Sequence, residues 1–186
     1  MELTTYTVTR DDTYVLTIDV QERLAPAIAE AEACGRTIVR LLKGAAVFGL
    51  PGAATEQYPK GLGPTLPDIR AALADCGHPV FEKTVFTAYT PEIQAHLAAS
   101  GCHAVIVVGM ETHVCVYQTV RDLLEAGYRV FVPDDAVSSR KVASRERALT
   151  LFGQMGACVT RSETILFDLL HDAKAPEFKA ISALIK

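Results

Sequence analysis

Four times along this chain an apolar-periodic segment ends in glycine and a short β-rich run follows at once. The pairs are ALADCG before HPVFE, HLAASG before CHAVIVVG, DLLEAG before YRVFVP, and LFGQMG before ACVT. Gly77, Gly101, Gly127 and Gly156 stand where an ending helix needs a left-handed residue, which glycine adopts without steric penalty. The runs after them are nearly all apolar rather than alternating, the pattern of strands covered on both faces. Two earlier runs extend the series: YVLTID (Tyr14 to Asp19) and the fainter GAATEQ after Leu50-Pro51-Gly52. Alternating α and β segments with doubly covered strands predict an α/β domain of three layers, α/β/α, around a six-stranded parallel sheet.

The helical segments fit that plan. Thr90-Pro91 reads as an N-cap and first helical residue before EIQAHLAAS. Val116, Val120, Leu123 and Leu124 form one apolar stripe, with Arg121, Asp122 and Glu125 on the other face. A helix is expected around Ser138 to Leu151, capped by Asp134 or Asp135. PEFKAISALIK, from Pro176, predicts a C-terminal helix lying on the body or on a partner. There is no Ser/Gly linker, no low-complexity tract and no tandem repeat, and 186 residues that are 49% hydrophobic suffice for one core. A single domain over 1–186 is expected.

Charge and cysteine content narrow the function. Acidic residues outnumber basic ones, 22 to 18, for a net charge of −4. That disfavours nucleic acid and anionic membrane surfaces as partners. No apolar run is long enough for a membrane span, and the polar N-terminus does not read as a signal peptide. Cys34, Cys76, Cys102, Cys115 and Cys158 are odd in number, scattered, and form no CxxC. Neither a disulfide framework nor a zinc site fits, and a cytoplasmic location without cofactor is expected.

In a parallel α/β sheet, sites form beyond the carboxyl ends of the strands. The loops expected there carry Asp19 in DVQERL, Lys83 in FEKTVFTAY and Cys115 in GMETHVC. Each has a plain alternative: a turn-forming Asp, a surface Lys, a buried Cys used as filler. Their convergence on one edge gives them a joint chemistry. A helix N-terminus and a neighbouring ammonium favour a thiolate at Cys115, which predicts a lowered thiol pKa. Asp19 is then placed to take the thiol proton and pass it to a leaving group, with backbone N–H groups to hold an oxyanion.

LTIDVQERL, TEQYPKGLGPTLPDI, FEKTVFTAY, VVGMETHVCVYQTVRDLLEAGYRVFVPDDAVSSR and PEFKAISALIK, in that order, resemble the isochorismatase-like cysteine hydrolases, and most of all their isochorismatase-domain-containing subgroup. The resemblance implies sheet order 3-2-1-4-5-6 and a triad of Asp19, Lys83 and Cys115. It implies a non-proline cis peptide at Met110–Glu111, with an oxyanion hole made by the Glu111 and Cys115 N–H groups. It also suggests a homo-oligomer, a dimer or larger. The metal-binding branch of the family uses an Asp and His cluster after the second strand, but Leu50 to Gly77 contains no His, so no metal is expected. A small amide or carbamoyl compound, cleaved at its C–N bond through a thioester at Cys115, is the expected substrate class. A non-catalytic binding protein that keeps the fold is the alternative. A thiol redox sensor is a third reading, disfavoured because Cys102 lies a strand length from Cys115.

Candidate substrate contacts are Gln21, Gln57, Phe86, Thr112 and His113. Gln57, Tyr58 and Lys60 belong either to a substrate mouth or to a subunit contact. His113 is either a second acid–base group or a helix-start residue directed at a neighbour. Gly61, Gly63 and Pro64 read as a rigid turn rather than a phosphate loop.

Overall fold

A computed structural model describes residues 6–186. Strands β1 (Thr13–Ile18), β2 (Gly52–Gln57), β3 (Val80–Lys83), β4 (Ala104–Met110), β5 (Arg129–Pro133), the two-residue β6 (Val137–Ser138) and β7 (Cys158–Thr160) build one parallel sheet. Its order is β3-β2-β1-β4-β5-β7, which is the expected order 3-2-1-4-5-6 with β6 added. β6 pairs with Gly109 and Met110, at the end of β4 beyond the reach of β5. The helices are α1 (Ala31–Phe48), α2 (Pro59–Leu62), α3 (Pro67–Cys76), α4 (Pro91–Ser100), α5 (Tyr117–Glu125), α6 (Val142–Met155), α7 (Ser162–Leu170) and α8 (Phe178–Ile185).

The three layers follow from strand alternation. β4 is buried at every position, so neighbouring side chains need cover on opposite faces. Ala104, Ile106, Val108 and Met110 join Ile38 and Leu41 of α1, Ile69 and Leu73 of α3, and Ile165 and Leu169 of α7. Val105 and Val107 join Ile93 and Leu97 of α4, Val120 and Leu123 of α5, and Phe152 of α6. Each such side chain, taken fully out of water, contributes about 1.5–3 kcal/mol. Gly77, Gly101, Gly127 and Gly156 all have positive φ at or just past helix ends. The C-terminal helix α8 lies on the body, where Ile181 is buried with Leu166 and Leu170 of α7.

Two expectations need correction. α6 begins at Val142 rather than near Ser138, because Val137 and Ser138 are drawn into the sheet. The acids after β5 do not cap it. Asp135 instead accepts hydrogen bonds from the Ser162 N–H (2.9 Å) and hydroxyl (2.6 Å), and Asp134 pairs with Arg161. The reason is adjacency: β5 runs beside β7, so the end of β5 meets the start of α7.

Candidate active site

Asp19, Lys83 and Cys115 meet at the carboxyl edge of the sheet. Asp19 is the residue after β1, held at φ 52° with its N–H donated to Thr55 O. Lys83 ends β3, two strands away. Its Nζ donates to Asp19 Oδ2 at 2.6 Å, to Gln57 Oε1 at 2.7 Å, and to the carbonyls of Val85 and Phe86 at 3.3 and 3.0 Å. The side chains of this ion pair are 1% and 0% exposed, so water does not screen it. The Cys115 thiol is close enough to both for each to act on its ionisation. It sits in a single wide turn of π type, Thr112–Val116, between β4 and α5.

The electrostatics differ from the sequence expectation in one respect. A lowered thiol pKa was expected at Cys115. Burial instead pushes the thiol up to about 12; the Asp19 carboxylate adds to the rise, and Lys83 opposes it. Burial likewise raises the Asp19 pKa, against the lowering effects of Lys83, Thr55 and Cys115. At neutral pH the thiol therefore rests neutral, beside the hydrogen-bonded Asp19–Lys83 pair. The helix start does not outweigh the neighbouring carboxylate and the loss of water.

Two residues of β2 orient the pair. Thr55 Oγ1 donates to Asp19 Oδ1 at 2.7 Å, while Gln57 Oε1 accepts from Lys83. Strand alternation puts residues i and i+2 on one face, so TEQ presents both toward the neighbouring strand ends. Thr55 escaped the sequence reading, although this spacing was available as a signal. Gln57, expected in a mouth or subunit contact, accepts a hydrogen bond from Lys83 Nζ. Gln21, expected to meet substrate, is fully buried and spent on backbone: its Nε2 donates to Gln57 O and Gly63 O, and its Oε1 accepts from Gln57 N–H.

The turn before Cys115 is packed closely. Gly109 has φ 127°, and a Cβ there would come within 2.1 Å of Ile18 O, so β4 can approach β1 this closely only with glycine. The Met110–Glu111 peptide is cis. Glu111 is buried, and its Oε2 accepts from both the backbone N–H and Nε of Arg140, each at 3.0 Å. Arg140 is a second residue that sequence reasoning missed. Thr112 is fully buried, with no partner for its Oγ1 among the described residues. His113 Nδ1 lies 3.0 Å from Ser139 Oγ, within hydrogen-bond distance. It lines a pocket of about 390 Å³ with Tyr117, Ser144 and Arg147. Phe86 is 52% exposed and Val85 55%, because the turn that carries them gives its carbonyls to Lys83.

A groove of about 1090 Å³ lies elsewhere, between α1, α3 and the end of α8, and none of the three converging residues lines it. Its size does not outweigh the chemistry at the sheet edge. Among the described residues, no group of three or more His, Cys, Asp or Glu side chains is placed to hold a metal ion. No helix there is long and apolar enough to cross a membrane.

Known proteins share this sequence and architecture. The isochorismatase domain model matches residues 13–164. Isochorismatase domain-containing protein 2 of Danio rerio is 38% identical over 172 residues, covering 92% of this chain and 85% of its own. Isochorismatase domain-containing protein 1 of the same fish is 41% identical over 169 residues, and there the match spans 90% of this chain but 59% of the relative. Among solved structures, the MAR1 ribonuclease from Caenorhabditis elegans superposes with a TM-score of 0.92 at 37% identity, covering 96% of this chain and 92% of its own. A doubly covered parallel sheet of this order, matched along nearly its whole length by such relatives, makes the chain a member of the isochorismatase family.

Proposed function

We propose that this chain is a cysteine hydrolase that cleaves a C–N bond in a small amide or carbamoyl compound, with Asp19, Lys83 and Cys115 as its triad. The observation that carries this reading is the buried 2.6 Å Asp19–Lys83 pair, with the buried Cys115 thiol within the electrostatic reach of both. A structural ion pair needs no thiol, and a filler cysteine needs no charges.

The resting protonation sets the order of events. With the proton on sulfur, attack and deprotonation occur together: the sulfur bonds to the substrate carbonyl carbon as the proton passes to Asp19. A raised Asp19 pKa suits this role, since it makes the carboxylate a stronger base than a free aspartate. The carbonyl oxygen becomes an oxyanion, held by the Glu111 and Cys115 N–H groups. Lys83 keeps Asp19 charged before the step and orients it throughout. The C–N bond then breaks, and the proton on Asp19 goes to the leaving amine. Water attacks the thioester and gives a proton to Asp19; the C–S bond breaks, and that proton returns to sulfur as the acid leaves. No metal enters this scheme.

The Caenorhabditis elegans relative carries the name ribonuclease. For the present chain a small-molecule substrate has better support. Its net charge is −4, and the one cation of the triad is occupied by Asp19 and three further acceptors, whereas RNA binding draws on free Lys and Arg. Assembly into a homo-oligomer would cover the exposed Val85 and Phe86 beside the site. The test is a panel of small amides and carbamoyl compounds, with amine release as readout and the intact mass of the protein recorded during turnover. Release that is lost in Cys115→Ala and Asp19→Asn, with an acyl adduct on Cys115, is expected. No turnover, together with no acylation of Cys115 by an activated ester, would overturn the reading in favour of a binding protein.

A further inference from the structure

The segment Ser138-Ser139-Arg140 has no part in the triad, yet it is fastened to the turn that carries Cys115 at three successive points. Ser138 pairs with Met110 in the sheet. The Arg140 N–H and Nε both donate to Glu111 Oε2 at 3.0 Å. Ser139 Oγ meets His113 Nδ1 at 3.0 Å. The same segment is tied on its other side to the chain before α1. Ser138 Oγ donates to Ala29 O at 2.6 Å, and Ala29 N–H donates to Ser139 O at 3.0 Å. It is thus a strap, anchored in the body and gripping residues 110 to 113.

The grip at Glu111 has an electrostatic side. The Glu111 side chain is only 9% exposed and carries a carboxylate, on the residue whose N–H is assigned to the oxyanion. An unpaired carboxylate there would oppose the negative charge that develops on the substrate oxygen, and weak screening would strengthen the opposition. Arg140 is the cation paired with it.

We propose that Arg140 is a positioning residue for the oxyanion hole: through its paired contact with Glu111 it fixes the 110–113 turn and offsets the carboxylate carried by the oxyanion-hole residue itself. This rests on the hydrolase reading above. Arg140 touches no reacting atom and acts through Glu111.

The test compares two reactions of Cys115 that differ in the oxyanion. Acylation by p-nitrophenyl acetate passes through a tetrahedral oxyanion and releases p-nitrophenolate; alkylation by iodoacetamide displaces iodide and forms none. Both rates are followed at Cys115 by mass spectrometry in the parent, Arg140→Ala, Arg140→Lys, and Arg140→Ala combined with Glu111→Gln. Arg140→Ala is expected to slow acylation by about tenfold or more, short of the roughly 100-fold or greater loss from deleting a donor outright, while alkylation stays near the parent rate. Adding Glu111→Gln should recover part of the loss, because a neutral amide does not repel the oxyanion. Arg140→Lys, which keeps the charge but not the Nε–H donor, should fall between. Equal acylation in parent and Arg140→Ala would overturn the proposal while leaving the hydrolase reading intact. Equal slowing of both reactions would also overturn it, since that reports a loosened site. A parent Cys115 that acylates no faster than Cys102 or Cys158 would instead overturn the hydrolase reading, and this proposal with it.

Discussion

Replacing Lys83 by Met removes the cation but keeps most of the apolar stem. Asp19 then stands fully buried, keeping the Thr55 hydroxyl on Oδ1 but losing the ammonium at Oδ2. Breaking a buried pair by deleting one partner costs about 3–5 kcal/mol, because the remaining charge is left uncompensated. A domain of this size loses about 2–4 °C of melting temperature per kcal/mol, so the midpoint should fall by roughly 6–20 °C. The pH dependence identifies the cause. The folded pKa of Asp19 is already raised, with Lys83 among the influences that lower it, so losing Lys83 raises it further. A carboxyl with a raised folded pKa penalises the folded state once pH passes the unfolded value of about 3.9, and the penalty grows until the folded pKa is reached. The deficit of the variant should therefore shrink as pH falls toward 4, where Asp19 is protonated in both proteins, and grow as pH rises from there. Adding Asp19→Asn should return most of the stability at neutral pH, since a neutral amide needs no counter-charge. Urea midpoints of the three proteins across this range provide the assay. A deficit unchanged by pH and untouched by Asp19→Asn would refute the argument, for it would place the loss in packing rather than in an unpaired charge.

Other perturbations follow from the same structure. Gly109→Ala should prevent stable folding, because its Cβ would meet Ile18 backbone O and N at 2.1 and 2.7 Å in a positive-φ conformation; circular dichroism and a melt of the purified variant would check this. Gly44→Ala meets only the end of a side chain, Leu166 Cδ2 at 2.3 Å, so a cost of about 1–3 kcal/mol in a folded protein is expected from denaturant titration. Alkali should weaken the fold: burial holds the Cys34 and Cys115 thiols up near about 12. Above about pH 8.5 the unfolded chain therefore sheds protons that the folded chain keeps, and stability falls by up to roughly 1.4 kcal/mol per thiol per pH unit. A urea midpoint that holds constant between about pH 7.5 and 9.5 would contradict this.

The sheet was legible because its signals are local. An apolar run such as AVIVVGM is buried on both faces whatever its neighbours are, and a glycine after a helix marks the helix end from its own backbone. Strand β6 was not legible. Val137 and Ser138 look like the approach to a helix, and they become a strand only because β4 outruns β5 and leaves Gly109 and Met110 unpaired on that side. Asp135 was misassigned for the same reason: its partner Ser162 is 27 residues away, brought close by the pairing of β5 with β7.

The candidate site divides along the same line. Asp19, Lys83 and Cys115 stand at strand ends or in the turn that follows one, and strand ends can be counted from sequence. Whether each group carries a proton depends on burial and on the other two, quantities set only when three distant loops close together. The thiol shows the consequence. Its place at a helix start and near a lysine argues for a low pKa, and both features are present. Burial and the Asp19 carboxylate act in the other direction and dominate. That reversal changes what reactivity should look like. A preformed thiolate would alkylate quickly and titrate below a free thiol, whereas a neutral thiol poised against a buried base reacts slowly with a simple alkylating agent and is activated as a carbonyl enters the oxyanion site. Slow alkylation of Cys115 combined with fast acylation is therefore the signature this geometry predicts, and fast alkylation with a depressed pKa would show that the resting proton is not on sulfur.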